Sequence, residues 1–242
     1  MANERDWATE VKMRLAAYDV DLLGTALRNN GVVQLDEFLP SVLEQELTEE
    51  ADQLLRLHGR RVNALIPSTS NTPRKYVSVS RDNIFDHALT ITQLYHDAEL
   101  IRFLADLTKS DVITCPYEPE QIVVNRMSET GDTHGWHWDD YSYSLVCILE
   151  APERQNGAQV EYVDGTSWNK GSANVQQYLD TLTVESLDVA PGSAYVLLGK
   201  RVMHRVAPLL RADTRKIVCF SYATEEERHT SVDHGSMEDI YG

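Results

Sequence analysis

Two imidazoles and a carboxylate, His137, Asp139 and His204, are the side chains of this sequence best suited to share one metal ion. His137 and Asp139 lie in Thr133-His134-Gly135-Trp136-His137-Trp138-Asp139-Asp140, just before an apolar run from Tyr143 to Ile148. In extended chain, residues i and i+2 project to the same side, so a ring nitrogen and a carboxylate oxygen can converge on one ion. Two His and one carboxylate on one face leave coordination positions open opposite them, which suits Fe(II) taking up O2 and a cosubstrate. A bare His-x-Asp is common, so the pair needs its context. His134 is an alternative third ligand in place of His204, because His-x-x-His can also chelate. Asp140, next to a ligand, reads as a second carboxylate attracting a cation, as an orienter of His137, or as a surface acid.

The elements around the second His supply that context. Val189-Ala190-Pro191-Gly192 is a turn, and Ser193 to Leu198 is a short apolar strand broken by Gly199. Val202 to Pro208 follows as a strand carrying His204, and Asp213 to Tyr222 as another with Arg215 near its start. The ordered set of His-x-Asp, Pro-Gly-strand, His and Arg, over about residues 115 to 225, resembles the Fe(II)/2-oxoglutarate-dependent dioxygenases. The resemblance implies a mainly β fold with flanking helices, built on a double-stranded β-helix (a jelly-roll or cupin-like core). It also implies that Arg215 pairs with the distal carboxylate of 2-oxoglutarate, since a guanidinium fork matches a carboxylate bidentately. A jelly roll brings distant strands together, so the long separation of His137 from His204 is no objection.

The segment His134-Gly135-Trp136-His137-Trp138-Asp139-Asp140-Tyr141-Ser142 is similar to the carrier-independent amino-acid halogenases and their hydroxylase relatives, which act on free lysine or similar amino acids. In the halogenases a small residue replaces the carboxylate ligand and chloride fills the vacancy. Asp139 at that position implies hydroxylation, with Cys219 and Ser221 on the last strand favouring the same choice. The resemblance further implies that Glu120 and Asp140 receive the substrate's side-chain ammonium, that Arg74 receives its carboxylate and that His134 lines the pocket. The expected activity is hydroxylation of a free cationic amino acid, L-lysine at C4 or C3, using Fe(II), 2-oxoglutarate and O2 with ascorbate as reductant. Ornithine or arginine, a peptide substrate, halogenation, a zinc hydrolase and a non-catalytic jelly roll are the rival readings.

The rest of the chain reads as what holds these residues in place. At 242 residues it is expected to be one domain over 1–242: a helix-rich scaffold over 1–110, a jelly-roll core over 111–225 and a C-terminal tail over 226–242. Residues 5–29 predict one helix, Gly31 to Leu35 a strand, and Ser41 with Glu44 a capping box. That box opens a helix striped by Leu43, Leu47, Ala51, Leu54 and Leu57. Residues 59–96 are less regular, with a polar loop from Ile66 to Pro73 and a strand from Arg74 to Val79. Asp97 to Ser110 predicts an amphipathic helix, and Gln121 to Met127 a strand. Ala158 to Val163 and Leu182 to Leu187 predict further strands, with Asp164 to Asp180 between them as an exposed insertion.

With 38 acidic against 22 basic residues the formal charge is −16, which disfavours nucleic acid and anionic membranes as partners. The start of the chain is charged, without an apolar signal core, and no run approaches membrane-spanning length. Cys115, Cys147 and Cys219, odd in number and scattered, read as reduced thiols of a cytoplasmic protein. The expected partner is a small amino-acid substrate; assembly is left open, with a homodimer among the options.

Overall fold

The computed structural model describes residues 7–235 and 240. The charged start, the first two positions of the predicted helix over 5–29, and residues 236–239, 241 and 242 of the tail lie outside the described residues.

The chain opens with two helices, α1 (Trp7–Ala17) and α2 (Val20–Asn30), where one was predicted. Asp19 is the reason for the break: its side chain accepts from Leu22 N at 3.0 Å and so starts a new helix. Gly31 ends α2 in the left-handed region at φ 73°, its N–H donating to Leu27 O. A Cβ there would lie 2.1 Å from Val202 Cγ2, so position 31 is closed to side chains on two grounds. The chain then enters β1 (Val32–Leu35).

Helix α3 (Ser41–His58) buries Leu43, Leu47, Ala51, Leu54 and Leu55. The predicted Leu57 is 56% exposed instead, because the stripe drifts round to Leu55 in the last turns. The predicted capping box does not form. Pro40 takes the N-cap without a side-chain bond, and the Glu44 carboxylate lies beside Gly192. Residues 59–96 are more regular than their sequence suggests. They form the hairpin β2 (Arg60–Ile66) and β3 (Thr72–Val79), then two short helices, α4 (Arg81–His87) and α5 (Leu89–Tyr95). Helix α6 (Ala98–Thr108) forms where an amphipathic helix was predicted, and Asp97 caps it by accepting from Leu100 N.

The remaining strands are β4 (Val112–Thr114), β5 (Ile122–Met127), β6 (Thr133–His137), β7 (Tyr143–Glu150), β8 (Val160–Val163), β9 (Glu185–Leu187), β10 (Ala194–Leu198), β11 (Met203–Val206) and β12 (Arg215–Thr224). Their neighbour order is β1-β10-β7-β12-β5-β3-β6-β11-β8-β9, with β2 on β3 and β4 on β12. From β5 onward the chain passes back and forth between the group β5, β7, β10, β12 and the group β6, β8, β9, β11. That alternation between two facing antiparallel layers is the jelly-roll core that was expected.

Strand β3 joins the layers: Val77 to Val79 pair with β5, whereas Arg74 and Lys75 pair with β6. The segment read as scaffold therefore also contributes β1, β2 and β3 to the sheet. The helices cover the outer face of the first layer, where Leu43, Leu47 and Leu54 pack with Leu100, Leu104, Val124, Leu145, Val196 and Phe220. The interior between the layers holds an apolar cluster that includes Val146, Ile148, Val160, Leu197 and Ile217, beside the polar side chains of the site.

Two other expectations change. The predicted strand from Leu182 shrinks to Glu185–Leu187, since Leu182 ends a short helix, α7 (Val175–Thr181). The supposed exposed insertion over 164–180 is a flap packed on the site: Trp168, Ala173, Val175 and Tyr178 lie against Trp136, Trp138, Val163 and Met203. Trp168 Nε1 donates to Ser68 O at 2.9 Å, tying the flap to the loop before β3. The three cysteines are free, Cys115 and Cys147 buried and Cys219 half-buried. No helix among the described residues is long and apolar enough to cross a membrane.

Candidate metal centre

His204 on β11 pairs directly with His137, the last residue of β6. Strand pairing thus closes the long gap in sequence. Asp139 lies two residues past the strand, in a loop rather than in extended chain. It is brought back by its own N–H, which donates to Gly199 O at 3.0 Å. Its Oδ1 is 3.4 Å from His204 Nε2 and 3.7 Å from His137 Nε2. Gly199 is required for this approach, because a Cβ there would sit 2.2 Å from Asp139 Oδ2.

The protonation pattern suits a cation. His137 Nδ1 lies 2.8 Å from Gly135 O, and His204 Nδ1 lies 2.9 Å from Val202 O. A carbonyl only accepts, so each Nδ1 carries a hydrogen, and each Nε2 is the nitrogen that faces Asp139. Burial, with His134 and His204 close by, pushes His137 well below its usual range and keeps the ring neutral. Burial would raise the Asp139 carboxyl, but the two imidazoles and the hydrogen bond from Ser144 outweigh it and hold the group below its usual range. Two imidazole nitrogens and one carboxylate, all within 4.8 Å of one another, fit a divalent transition metal. His134 stacks on His137 with ring centroids 4.0 Å apart but stands outside this ligand set, so the geometry favours His204 over it.

Ser144 was missed in the sequence. Its Oγ donates to Asp139 Oδ2 at 2.7 Å, which leaves Oδ1 as the oxygen facing both imidazoles. Ser144→Ala is expected to weaken Fe(II) binding about 10- to 100-fold, the usual effect of losing a partner that orients a ligand. Anaerobic Fe(II) titration reads this directly, and unchanged affinity would show that Asp139 needs no such support.

Below the metal-capable trio a cavity of about 90 Å³ runs between Asn125, Met127, Val146, Tyr195 and Arg215. Arg215 is among the residues that line it. The residue is 6% exposed, its guanidinium hydrogen-bonds Tyr195, and its Nη2 has no partner. A buried guanidinium nitrogen left unpaired beside a cavity can receive an anion. A wider open groove of about 380 Å³ reaches Arg215 from outside, along β8 and β9, without any of the metal-capable side chains.

Above the trio a second cavity, about 130 Å³, is lined by Arg74, Glu120, His134, Asp140, Trp168, Cys219 and Ser221 among others. All four residues assigned to substrate from the sequence therefore face one space. Arg74, on β3 opposite His134, is 2% exposed and commits Nη1 to Thr72 Oγ1, Pro73 O and Gly135 O. Burial lowers it to about 10, so it remains a cation at neutral pH.

Glu120 and Asp140 stand together on another wall. Burial first, then the Asp140 charge, pushes Glu120 up to about 10. His234 Nδ1, from the tail, lies 3.3 Å from Glu120 Oε1 and 3.7 Å from Asp140 Oδ2. Glu120, Asp140 and His234 form a second set with metal-compatible spacing. One acid of the set already pairs with a cation, Lys170 Nζ, 2.5 Å from Asp140 Oδ1. Its chemistry is that of an ammonium receptor. Neither His234 nor Lys170 was signalled in the sequence.

The model of the halogenase D family matches residues 16–242 of this chain. Among solved structures, AviO1 from Streptomyces viridochromogenes Tue57 is similar at TM-score 0.67 and 19% identity, with 86% of this chain and 96% of that one covered. The epimerase SnoN, in complex with Fe3+, alpha-ketoglutarate and nogalamycin RO, is similar at TM-score 0.64 and 14% identity, over 85% of this chain and 83% of that one. A prolyl-4-hydroxylase of Pseudomonas putida is similar at 0.59 and 16%, over 85% of this chain and 99% of that one. At these identities the structures establish a shared fold. No curated protein matches the sequence.

Proposed function

The chain belongs to the halogenase D family and has the fold of the iron- and 2-oxoglutarate-dependent oxygenases, and on that premise we propose that it hydroxylates a free cationic amino acid, L-lysine at C4 or C3 first. One observation carries the choice of hydroxylation over halogenation. The Asp139 carboxylate stands between the two imidazoles, held by Ser144 and seated on Gly199, so the coordination position that a halide would need is filled from the protein.

In this reading His137, Asp139 and His204 hold Fe(II). Bound there with 2-oxoglutarate and O2, the metal supplies the oxidant that turns one substrate C–H into C–OH while 2-oxoglutarate leaves as succinate and CO2. The protein's own share is positioning. Arg215, with Tyr195 beside it, takes the distal carboxylate of 2-oxoglutarate in the lower cavity. Arg74 takes the substrate carboxylate, and Glu120 with Asp140 takes its side-chain ammonium, so the molecule lies across the face of the metal-ligand set. Anchoring both ends selects which carbon is presented. The flap over 164–174, with Trp168 pinned to Ser68 O, covers the upper cavity and favours a small free substrate over a peptide, which needs an open groove.

The test is aerobic incubation with Fe(II), ascorbate and 2-oxoglutarate against the twenty amino acids and ornithine, chloride included, followed by mass spectrometry. One added oxygen on lysine or a near relative, coupled to succinate, is the expected result. Slow succinate with no amino-acid product would move the substrate to another class. Absence of succinate would remove 2-oxoglutarate chemistry altogether.

A further inference from the structure

Lys170 lies in the flap, outside the upper cavity, and yet governs what that cavity's acid pair can offer. Its Nζ lies 2.5 Å from Asp140 Oδ1, donates also to Asp233 O, and sits 4.3 Å from the centre of the Trp168 ring. Those contacts hold it on the outer side of the acid, and it does not itself line the cavity. The Asp140 side chain is 3% exposed, and its other oxygen, Oδ2, is buried without a hydrogen-bond partner. The aspartate therefore spends one oxygen on the flap and keeps the other free of hydrogen bonds, next to Glu120 and with His234 Nδ1 3.7 Å away.

We propose that Lys170 is a specificity-determining residue, which by occupying Asp140 Oδ1 leaves that carboxylate a single free oxygen toward the cavity, so that the acid pair receives a primary ammonium and disfavours a guanidinium. The inference rests on the reading of this site as one for a cationic amino acid. A guanidinium is a rigid planar fork whose parallel N–H groups match both oxygens of a carboxylate. With Oδ1 taken, its two parallel arms cannot both be accepted by Asp140, and the second must give up that bidentate arrangement for Glu120, which selects against it. An ammonium is compact and its three donors rotate, so it can divide itself between Asp140 Oδ2 and Glu120. The alternative, that Lys170 merely pins the flap, predicts that its loss weakens all substrates alike.

Calorimetric titration of the full chain, loaded anaerobically with Fe(II) and 2-oxoglutarate, with L-lysine and with L-arginine separates the two. The wild type is expected to prefer lysine. In Lys170→Met the lysine-to-arginine preference should fall at least about tenfold, mainly through tighter arginine binding. In Lys170→Arg, whose fork can take both oxygens of Asp140, arginine should stay excluded and lysine weaken. Unchanged 2-oxoglutarate binding checks that each variant is folded. Lysine binding with an unaltered preference in Lys170→Met, or arginine admitted by Lys170→Arg, would overturn the role of Lys170 and leave the hydroxylase standing. A wild type that binds neither amino acid would overturn the cationic-substrate reading itself, and this inference with it.

Discussion

Asp139→Gly is expected to lower hydroxylation by more than about 100-fold while Fe(II) still binds, more weakly, through the two imidazoles. Loss of a partner one step removed from a metal typically costs 10- to 100-fold, and loss of a ligand should exceed that. The carboxylate is the third member of the set, 3.4 Å and 3.7 Å from the two Nε2 atoms, and among the described residues no other acid joins that set. Gly199 provides an independent check. A Cβ at 199 would lie 2.2 Å from Asp139 Oδ2 and 2.6 Å from Asp139 Cβ, so Gly199→Ala must displace the aspartate. It should therefore damage iron binding in the wild type and add little in Asp139→Gly, a strongly non-additive cycle. Anaerobic iron titration and coupled succinate and product analysis, with chloride present, read both variants. Full activity in Asp139→Gly would remove the residue from the centre.

That centre was legible in the sequence because its information sits in residue types. His-x-Asp, the later His and the Arg on the following strand keep their chemistry whatever the details of the backbone. The geometry that joins them was legible only in part. The i, i+2 convergence assumed extended chain, whereas Asp139 has already left β6 and is returned by Gly199. Ser144 stands among Tyr141, Ser142 and Tyr143 at the entrance of an apolar strand, and a serine in such a stretch does not say which neighbour it serves.

Other features left less. Helices α4 and α5 have seven residues each, under two full turns, too few for an apolar period to show. In the flap, Trp168, Ala173 and Val175 are placed to meet Trp136, Trp138 and Met203, so their spacing follows a distant surface and not a local element. Lys170 stands in a stretch rich in Asn and Gly, where a lysine is ordinarily solvated. Its place becomes visible only when the flap is folded onto Asp140. The same is true of His234, which reaches Glu120 from the tail.

Arg215→Ala is expected to raise the 2-oxoglutarate requirement by about 30-fold to several thousand-fold, the range that follows from removing one partner of a buried, hydrogen-bonded charge pair. The amino-acid requirement should move far less, since Arg74, Glu120 and Asp140 line a cavity that Arg215 does not. The guanidinium is buried with Nη2 unpaired and with Tyr195 as a neighbouring donor, so in the free protein it is a receptor kept ready at a desolvation cost. Arg215→Lys separates charge from shape. An ammonium restores the positive charge without the planar fork, and should recover only part of the affinity. Direct titration of 2-oxoglutarate into the iron-loaded, oxygen-free protein measures the effect apart from turnover. An unchanged requirement in Arg215→Ala would place the cosubstrate's anchor elsewhere. Equal losses for 2-oxoglutarate and amino acid would mean that Arg215 holds β12 in place and binds neither.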